Sequence, residues 1–99
     1  MKKNFIGKTN LSLTELGIGT APIGGWPNYI DDKKAEDILE ESWNGGIRYF
    51  DTAPFYGYGS SEERLGKFLK KKNRDEFVVS TKVGRIIIDS KETSDFKPF

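Results

Sequence analysis

Between Asp31 and Gly46 the chain carries its clearest rhythm. Ala35, Ile38, Leu39, Ser42 and Trp43 recur at i, i+3, i+4, i+7 and i+8, one mostly apolar stripe with charges on the opposite face. The spacing predicts an amphipathic helix. Asp31 is its candidate N-cap, Asp32 suits the positive helix end, and Gly45-Gly46 supply a left-handed stop. A second stripe, Leu65, Phe68 and Leu69, predicts a helix from Ser60 or Ser61, where Ser60-Ser61-Glu62-Glu63 matches a capping box.

Strand patterns separate these helices. Phe5-Ile6 and Leu11-Ser12-Leu13 flank the polar turn Gly7-Lys8-Thr9-Asn10 and predict a small hairpin. Glu15 to Gly19 reads as a strand ended by Thr20-Ala21-Pro22-Ile23-Gly24-Gly25. Arg48 to Asp51 reads as the next, with Tyr49 and Asp51 on one face and Phe50 on the other. Phe77 to Lys82, a β-branched run bounded by charges, reads as the third. Strand starts near 16, 48 and 77 repeat at about thirty residues, the length of a strand-helix unit in a parallel sheet. Ile86-Ile87-Ile88 could extend the last strand, and the polar, period-free stretch to Phe99 reads as a loop, so that residues 86–99 are expected to be largely irregular.

Composition narrows the classes. With 35% hydrophobic and 31% charged residues, a net charge of +1 and both signs interspersed, the chain fits a globular segment and lacks the basic footprint of a nucleic-acid binder. Lys70-Lys71-Lys72 is expected to be a solvated helix end. Without cysteine there is no disulfide framework and no cysteine-based metal site; no metal ligands are assigned. The amino-terminal residues Met1-Lys2-Lys3-Asn4-Phe5 are not followed by an apolar run long enough for a signal peptide or a membrane span, so a cytoplasmic location and no membrane partner are expected.

The chemistry lies at the strand ends. Gly46-Ile47-Arg48-Tyr49-Phe50-Asp51-Thr52-Ala53-Pro54-Phe55-Tyr56-Gly57-Tyr58-Gly59-Ser60-Ser61-Glu62-Glu63-Arg64-Leu65-Gly66 puts a carboxylate and a phenol after one strand, and Ser80-Thr81-Lys82-Val83-Gly84-Arg85 puts an ammonium after the next. These strings resemble the signature of the aldo-keto reductases, over nearly the whole chain from the hairpin to Arg85. Within that family the similarity runs to the bacterial aldose 1-dehydrogenase and L-fucose dehydrogenase branch, from which Phe55 departs where histidine is common.

The resemblance implies an α/β fold, the N-terminal part of a (β/α)8 TIM barrel: a hairpin plugging the bottom, about three strands and two helices. A full barrel needs roughly 250 residues, so residues 1–99 are expected to be the incomplete N-terminal segment of such a domain, whether a fragment or a short gene product. It also implies NAD(P)-dependent hydride transfer at a sugar C1 or a carbonyl, aldose to lactone, with an aldose or aldehyde as substrate. Tyr56 would be the general acid or base, Lys82 the ammonium that favours its ionised form, and Asp51 the carboxylate that keeps Lys82 charged. Gly19, Thr20, Ala21 and Asp51 would contact NADP or NAD. Trp26 and Phe55, both in loops on the catalytic face, are candidates for the substrate pocket, with core or surface packing as the alternative. Gly17-Ile18-Gly19 is not the dinucleotide fingerprint, because no helix follows and position 22 is proline. The family's catalytic histidine, carried on its next strand, has no counterpart in a chain without histidine, so turnover by these 99 residues alone is not expected. Two other readings stay open: a non-catalytic barrel segment that self-associates through its open edges, and a small independent α/β binding domain.

Overall fold

The computed structural model describes residues 1–87 and 96–98. Strands β1 (Lys3–Phe5) and β2 (Ser12–Thr14) form an antiparallel hairpin. Strands β3 (Ile18–Gly19), β4 (Tyr49–Asp51) and β5 (Val78–Ser80) form a parallel sheet in the order β3-β4-β5, with helices α1 (Asp32–Asn44) and α2 (Ser60–Leu69) in the crossovers. Short 3₁₀ turns occupy Pro22–Gly24, Tyr56–Gly59 and Arg74–Glu76.

The expected alternation of strand faces is present. Ile18, Phe50 and Val79 stand in register and belong to the face that the helices cover. Phe50, fully buried, stacks on Trp43 of α1 with ring centres 6.3 Å apart, and Phe68 and Phe77 meet the Trp43 ring edge-on. Ala35, Leu39, Leu65 and Leu69 complete this core. The other face carries the row Gly19, Asp51 and Ser80, one residue from each strand.

The hairpin attaches at the opposite end of the sheet from that row. Arg48 N–H, just before β4, donates to Thr14 Oγ1 at 3.2 Å, and Glu15 N–H donates to Lys2 O. The hairpin is therefore tied to the amino-terminal end of the sheet through the Thr14 side chain, which leaves the carboxyl end for chemistry.

Several expectations need correction. The strands are shorter than their sequence signals, because residues such as Glu15-Leu16 and Thr81-Lys82 run past the reach of their neighbours. Asp31 caps α1 as expected, accepting from Lys34 N–H at 2.8 Å, but only Gly46 is left-handed; Gly45 keeps a helical φ of −76°. The capping box on α2 does not form. Gly59 is the N-cap, and the Ser61 hydroxyl turns into the protein to bond Thr20. Lys72 is not simply solvated: its Nζ lies 4.9 Å from the centre of the Trp43 ring, which the Arg48 guanidinium also approaches, to 3.7 Å. Finally, the stretch read as a loop contains an antiparallel pair, β6 (Arg85–Ile87) with β7 (Phe96–Pro98). Three β-branched residues in a row favour an extended backbone, and partners found 9 to 13 residues on leave no local periodicity. Residues 88–95 and Phe99, part of the same loop reading, lie outside the described residues.

Candidate active site

Parallel pairing sets the first two residues side by side. Asp51 ends β4 between Gly19 of β3 and Ser80 of β5, and two residues beyond Ser80 the chain delivers Lys82 to the same edge. The Lys82 ammonium donates to Asp51 Oδ2 at 2.9 Å and to Thr52 O at 3.0 Å. The ion pair expected from the strand geometry is therefore formed, inside the roughly 4 Å limit for such a contact. Tyr56 comes from the following turn, and the centre of its ring lies 5.1 Å from Lys82 Nζ. The three residues gather at the carboxyl end of the sheet, as they must in a barrel of this topology.

The electrostatics follow from the contacts. The Ser80 hydroxyl, donating to Asp51 Oδ1 at 2.6 Å, is the main influence holding the Asp51 carboxyl below its usual range. Desolvation opposes it, and Lys82 adds to it. In turn the Asp51 carboxylate holds the Lys82 ammonium above its ordinary value, against desolvation and with a smaller contribution from the Tyr56 phenol. Each charge supports the other.

Two clefts meet at Tyr56. One, of about 390 Å³, is lined by Ala53, Pro54, Phe55, Tyr56, Lys82, Val83 and Arg85. The other, of about 640 Å³, includes Ala21, Gly24, Trp26, Phe55, Tyr56 and Tyr58. Trp26 and Phe55, candidates for a substrate pocket from their place in loops, line clefts that share Phe55 and Tyr56, and the Arg85 guanidinium lies 4.9 Å over the Phe55 ring.

The residues assigned to a cofactor divide. Gly19 presents open backbone at the sheet edge, with nothing within 4 Å of where a Cβ would stand, beside half-exposed Asp51. Ala21 lines the larger cleft. Thr20 does not face out: it is fully buried, its hydroxyl donates to Asp51 O at 2.9 Å, and both its carbonyl and its hydroxyl stand 2.8 Å from Ser61 Oγ. Thr52 Oγ1 joins the same buried cluster at 3.1 Å from Ser61. This cluster ties the loop after β3, the end of β4 and the first turn of α2 together, on both sides in sequence of the Tyr56 turn.

A second support is a close backbone approach. Gly57 has φ of +63°, and a Cβ there would stand 2.3 Å from Gly24 O and 2.0 Å from Ser60 Oγ. Only glycine permits the Tyr56 turn to rest on the Pro22–Gly24 turn in this way. Sequence reading missed Ser80, Tyr49, Ser61 and Arg85. Ser80 carried a usable signal, since it lies two residues before Lys82 in the strand expected from the sequence and so shares its face; Ser61 was hidden by the capping pattern, which points to Ser60 and Glu63 instead.

The chain is similar to known proteins over most of its length. The Aldo/keto reductase family pattern matches residues 15–98. Pyridoxal 4-dehydrogenase of Microbacterium luteolum is 43% identical over 97 residues, 98% of this chain and 28% of that protein. D-threo-aldose 1-dehydrogenase of a Pseudomonas species is 53% identical over 77 residues, 78% of this chain and 23% of that protein. Among solved structures, an aldo-keto reductase from Bacillus halodurans in its holo form superposes with a TM-score of 0.82 at 34% identity, covering 99% of this chain and 30% of the other. The chain thus spans less than a third of the length of these relatives, and its sheet and helices are the N-terminal part of a (β/α)8 barrel, incomplete in these 99 residues. By pattern, identity and fold, the chain belongs to the aldo/keto reductase family.

Proposed function

We propose that this chain contributes the Asp51, Tyr56 and Lys82 part of an oxidoreductase site that transfers hydride at a sugar C1 or another carbonyl carbon. The observation that carries the reading is the Lys82 ammonium held by Asp51 at 2.9 Å and placed beside Tyr56 at the carboxyl end of the sheet. The family generally uses NAD(P)H, and a bound nicotinamide nucleotide supplies or accepts the hydride. Open backbone at Gly19, next to Asp51, with Ala21 lining the larger cleft, fits a flat ring; the enclosed Thr20 side chain does not take part. NADP and NAD both suit this edge, and nothing in these residues prefers one.

The chain's own residues handle the proton. In oxidation the Tyr56 oxygen takes the hydroxyl proton of the sugar as the C1–H bond breaks with its electron pair and a C=O bond forms; in reduction the phenol returns that proton to the developing alkoxide. The Lys82 ammonium stabilises negative charge on the phenolic oxygen, and Asp51 keeps the ammonium charged and fixed. Trp26 and Phe55 offer apolar surface to the carbon face of an aldose such as L-fucose.

A chimera tests this reading. Residues 15–98 would replace the matching segment of the Pseudomonas D-threo-aldose 1-dehydrogenase, and nicotinamide absorbance would follow aldose oxidation. The expected result is turnover that falls by about 10²-fold or more in Tyr56→Phe. A folded chimera whose activity ignores Tyr56 would overturn it. The 99-residue chain alone, which has no histidine, is expected to show no turnover with L-fucose, D-arabinose or a simple aldehyde.

A second proposal concerns the chain in isolation. Among the described residues β3 and β5 each pair on one side only, and Leu16, Val83 and Ile86 are exposed, Val83 at 94%. Open edges beside apolar surface favour self-association. Sedimentation showing a compact 11.2 kDa monomer would count against it.

A further inference from the structure

Behind the Asp51–Lys82 pair lies a line of hydroxyls that the proposed reaction has not used. Ser80 Oγ stands 2.6 Å from Asp51 Oδ1 and 2.9 Å from the Tyr49 hydroxyl, and all three groups are half-buried on the inner face of β4 and β5. The direction of this line follows from hydrogen-bond capacity alone. An ionised carboxylate only accepts, so Ser80 must spend its single O–H on Asp51. The bond to Tyr49 must then run the other way, with Tyr49 donating to the lone pair of Ser80. Both O–H dipoles therefore point at Asp51, and each strengthens the other.

We propose that Tyr49 and Ser80 form a directed hydroxyl relay that fixes the Asp51 carboxylate, and through it Lys82, for proton transfer at Tyr56. Both carboxylate oxygens are held, Oδ1 by Ser80 and Oδ2 by Lys82. Of the three ammonium N–H groups, one goes to Asp51 and one to Thr52 O, which leaves one for the side of Tyr56. An untethered carboxylate could rotate and take Lys82 with it. Tyr49 is itself held in place, since its ring lies against Gly17: a Cβ at that glycine would stand 2.6 Å from Tyr49 Cδ2. Bare backbone at position 17 is what lets the ring lie flat enough for its hydroxyl to reach Ser80. Tyr49 and Ser80 are positioning residues, because neither lines the clefts at Tyr56.

The relay has its purpose only if the hydride-transfer reading holds, but it can be tested without turnover. In the 99-residue chain carrying ¹³C-labelled aspartate, the Asp51 carboxyl resonance, assigned by its loss in Asp51→Asn, is followed against pH. Lysine labelled at Cε, assigned through Lys82→Arg, reports the other partner near neutral and alkaline pH, where an acid-sensitive variant stays folded. Ser80→Ala is expected to raise the Asp51 midpoint and lower that of Lys82; Tyr49→Phe shifts both in the same senses by less; Ser80→Thr, which keeps the hydroxyl, restores them. Midpoints unchanged in Ser80→Ala would overturn the relay and leave the chimera experiment unaffected. An inactive chimera with the midpoints shifting as described would remove the reaction and leave the relay standing. A Tyr49→Phe effect as large as that of Ser80→Ala would refute the directed order, since it requires Tyr49 to act through Ser80.

Discussion

The two faces of one short sheet, three residues deep at most, do opposite work. The outer face presents Ile18, Phe50 and Val79 to two helices and is closed by an aromatic cluster around Trp43. The inner face, displaced by a single residue along each strand, presents Gly19, Asp51 and Ser80 and stays half-open. The first gains its free energy from burial and the second holds charge near water. Strand alternation lets both requirements be met without compromise, since Phe50 and Asp51 are neighbours in sequence yet share no environment. The comparison teaches that stability and chemistry here are separable by substitution.

The largest effect should come from the outer face. Phe50 is wholly buried and stacks on Trp43, so Phe50→Ala removes a ring from a filled core and should cost about 3–5 kcal/mol. The loss would be read from the urea midpoint. A cost below that of inner-face substitutions would break the division of labour.

Next comes the loop that joins the two environments. Gly57→Ala puts a methyl group into Gly24 O and Ser60 Oγ at a φ of +63°, and should cost about 2–4 kcal/mol. Gly59→Ala is the control that separates space from backbone strain. Its φ is +99°, but nothing stands within 4 Å of the added carbon, so it should cost less. Equal losses would mean that backbone strain alone sets the cost and that the Gly24–Gly57 approach is incidental.

The buried hydroxyls of Thr20, Thr52 and Ser61 should matter somewhat less. Ser61→Ala removes the hydroxyl shared by Thr20 and Thr52 and should cost about 1–3 kcal/mol. Ser60→Ala loses only a 3.3 Å bond to Gly24 O and should cost less. A capping role would predict the reverse order, so the pair of variants distinguishes the two readings of Ser60-Ser61.

That distinction shows what was legible in the sequence. The stripe of α1, its Asp31 cap and the inward and outward alternation of Tyr49-Phe50-Asp51 are local properties, and each reappears in the structure. The meeting of Asp51 with Lys82 was legible because two parallel strands of equal depth leave their ends little freedom. What failed was whatever needs a distant partner. The local pattern offers Ser60 as a cap paired with Glu63, whereas in the structure Gly59 is the N-cap and the neighbouring Ser61 reaches Thr20, 41 residues away, because a buried hydroxyl must be satisfied. Thr20 was assigned to a cofactor by resemblance, and no local signal shows that Ser61 of α2 encloses its side chain. The pairing of Arg85–Ile87 with Phe96–Pro98 left no trace in any short window.

The smallest effect, and the sharpest contrast, lies in the inner-face ion pair. Asp51 and Lys82 side chains are 37% and 49% exposed, so solvent screens their attraction and Asp51→Asn should change stability near neutrality by less than about 1 kcal/mol. Its pH dependence is more telling than its size. The Asp51 carboxyl is lowered on folding, so its contribution is present above the unfolded value of about 3.9 and is lost as pH falls through the lower folded one. The Lys82 ammonium is raised on folding, so its contribution is present below about 10.4 and is lost as pH rises through the higher folded value. The stability difference between the native chain and Asp51→Asn should therefore form a plateau between these limits and fall away on both sides. The same difference for Leu39→Val, in the α1 core that covers the outer face, should show no such shape, because a buried methylene does not titrate. Urea midpoints for the three chains across this pH range give both curves. A native-minus-Asn difference that grows towards acid would show that Asp51 is destabilised in its site and that the mutual support of Asp51, Ser80 and Lys82 is wrong.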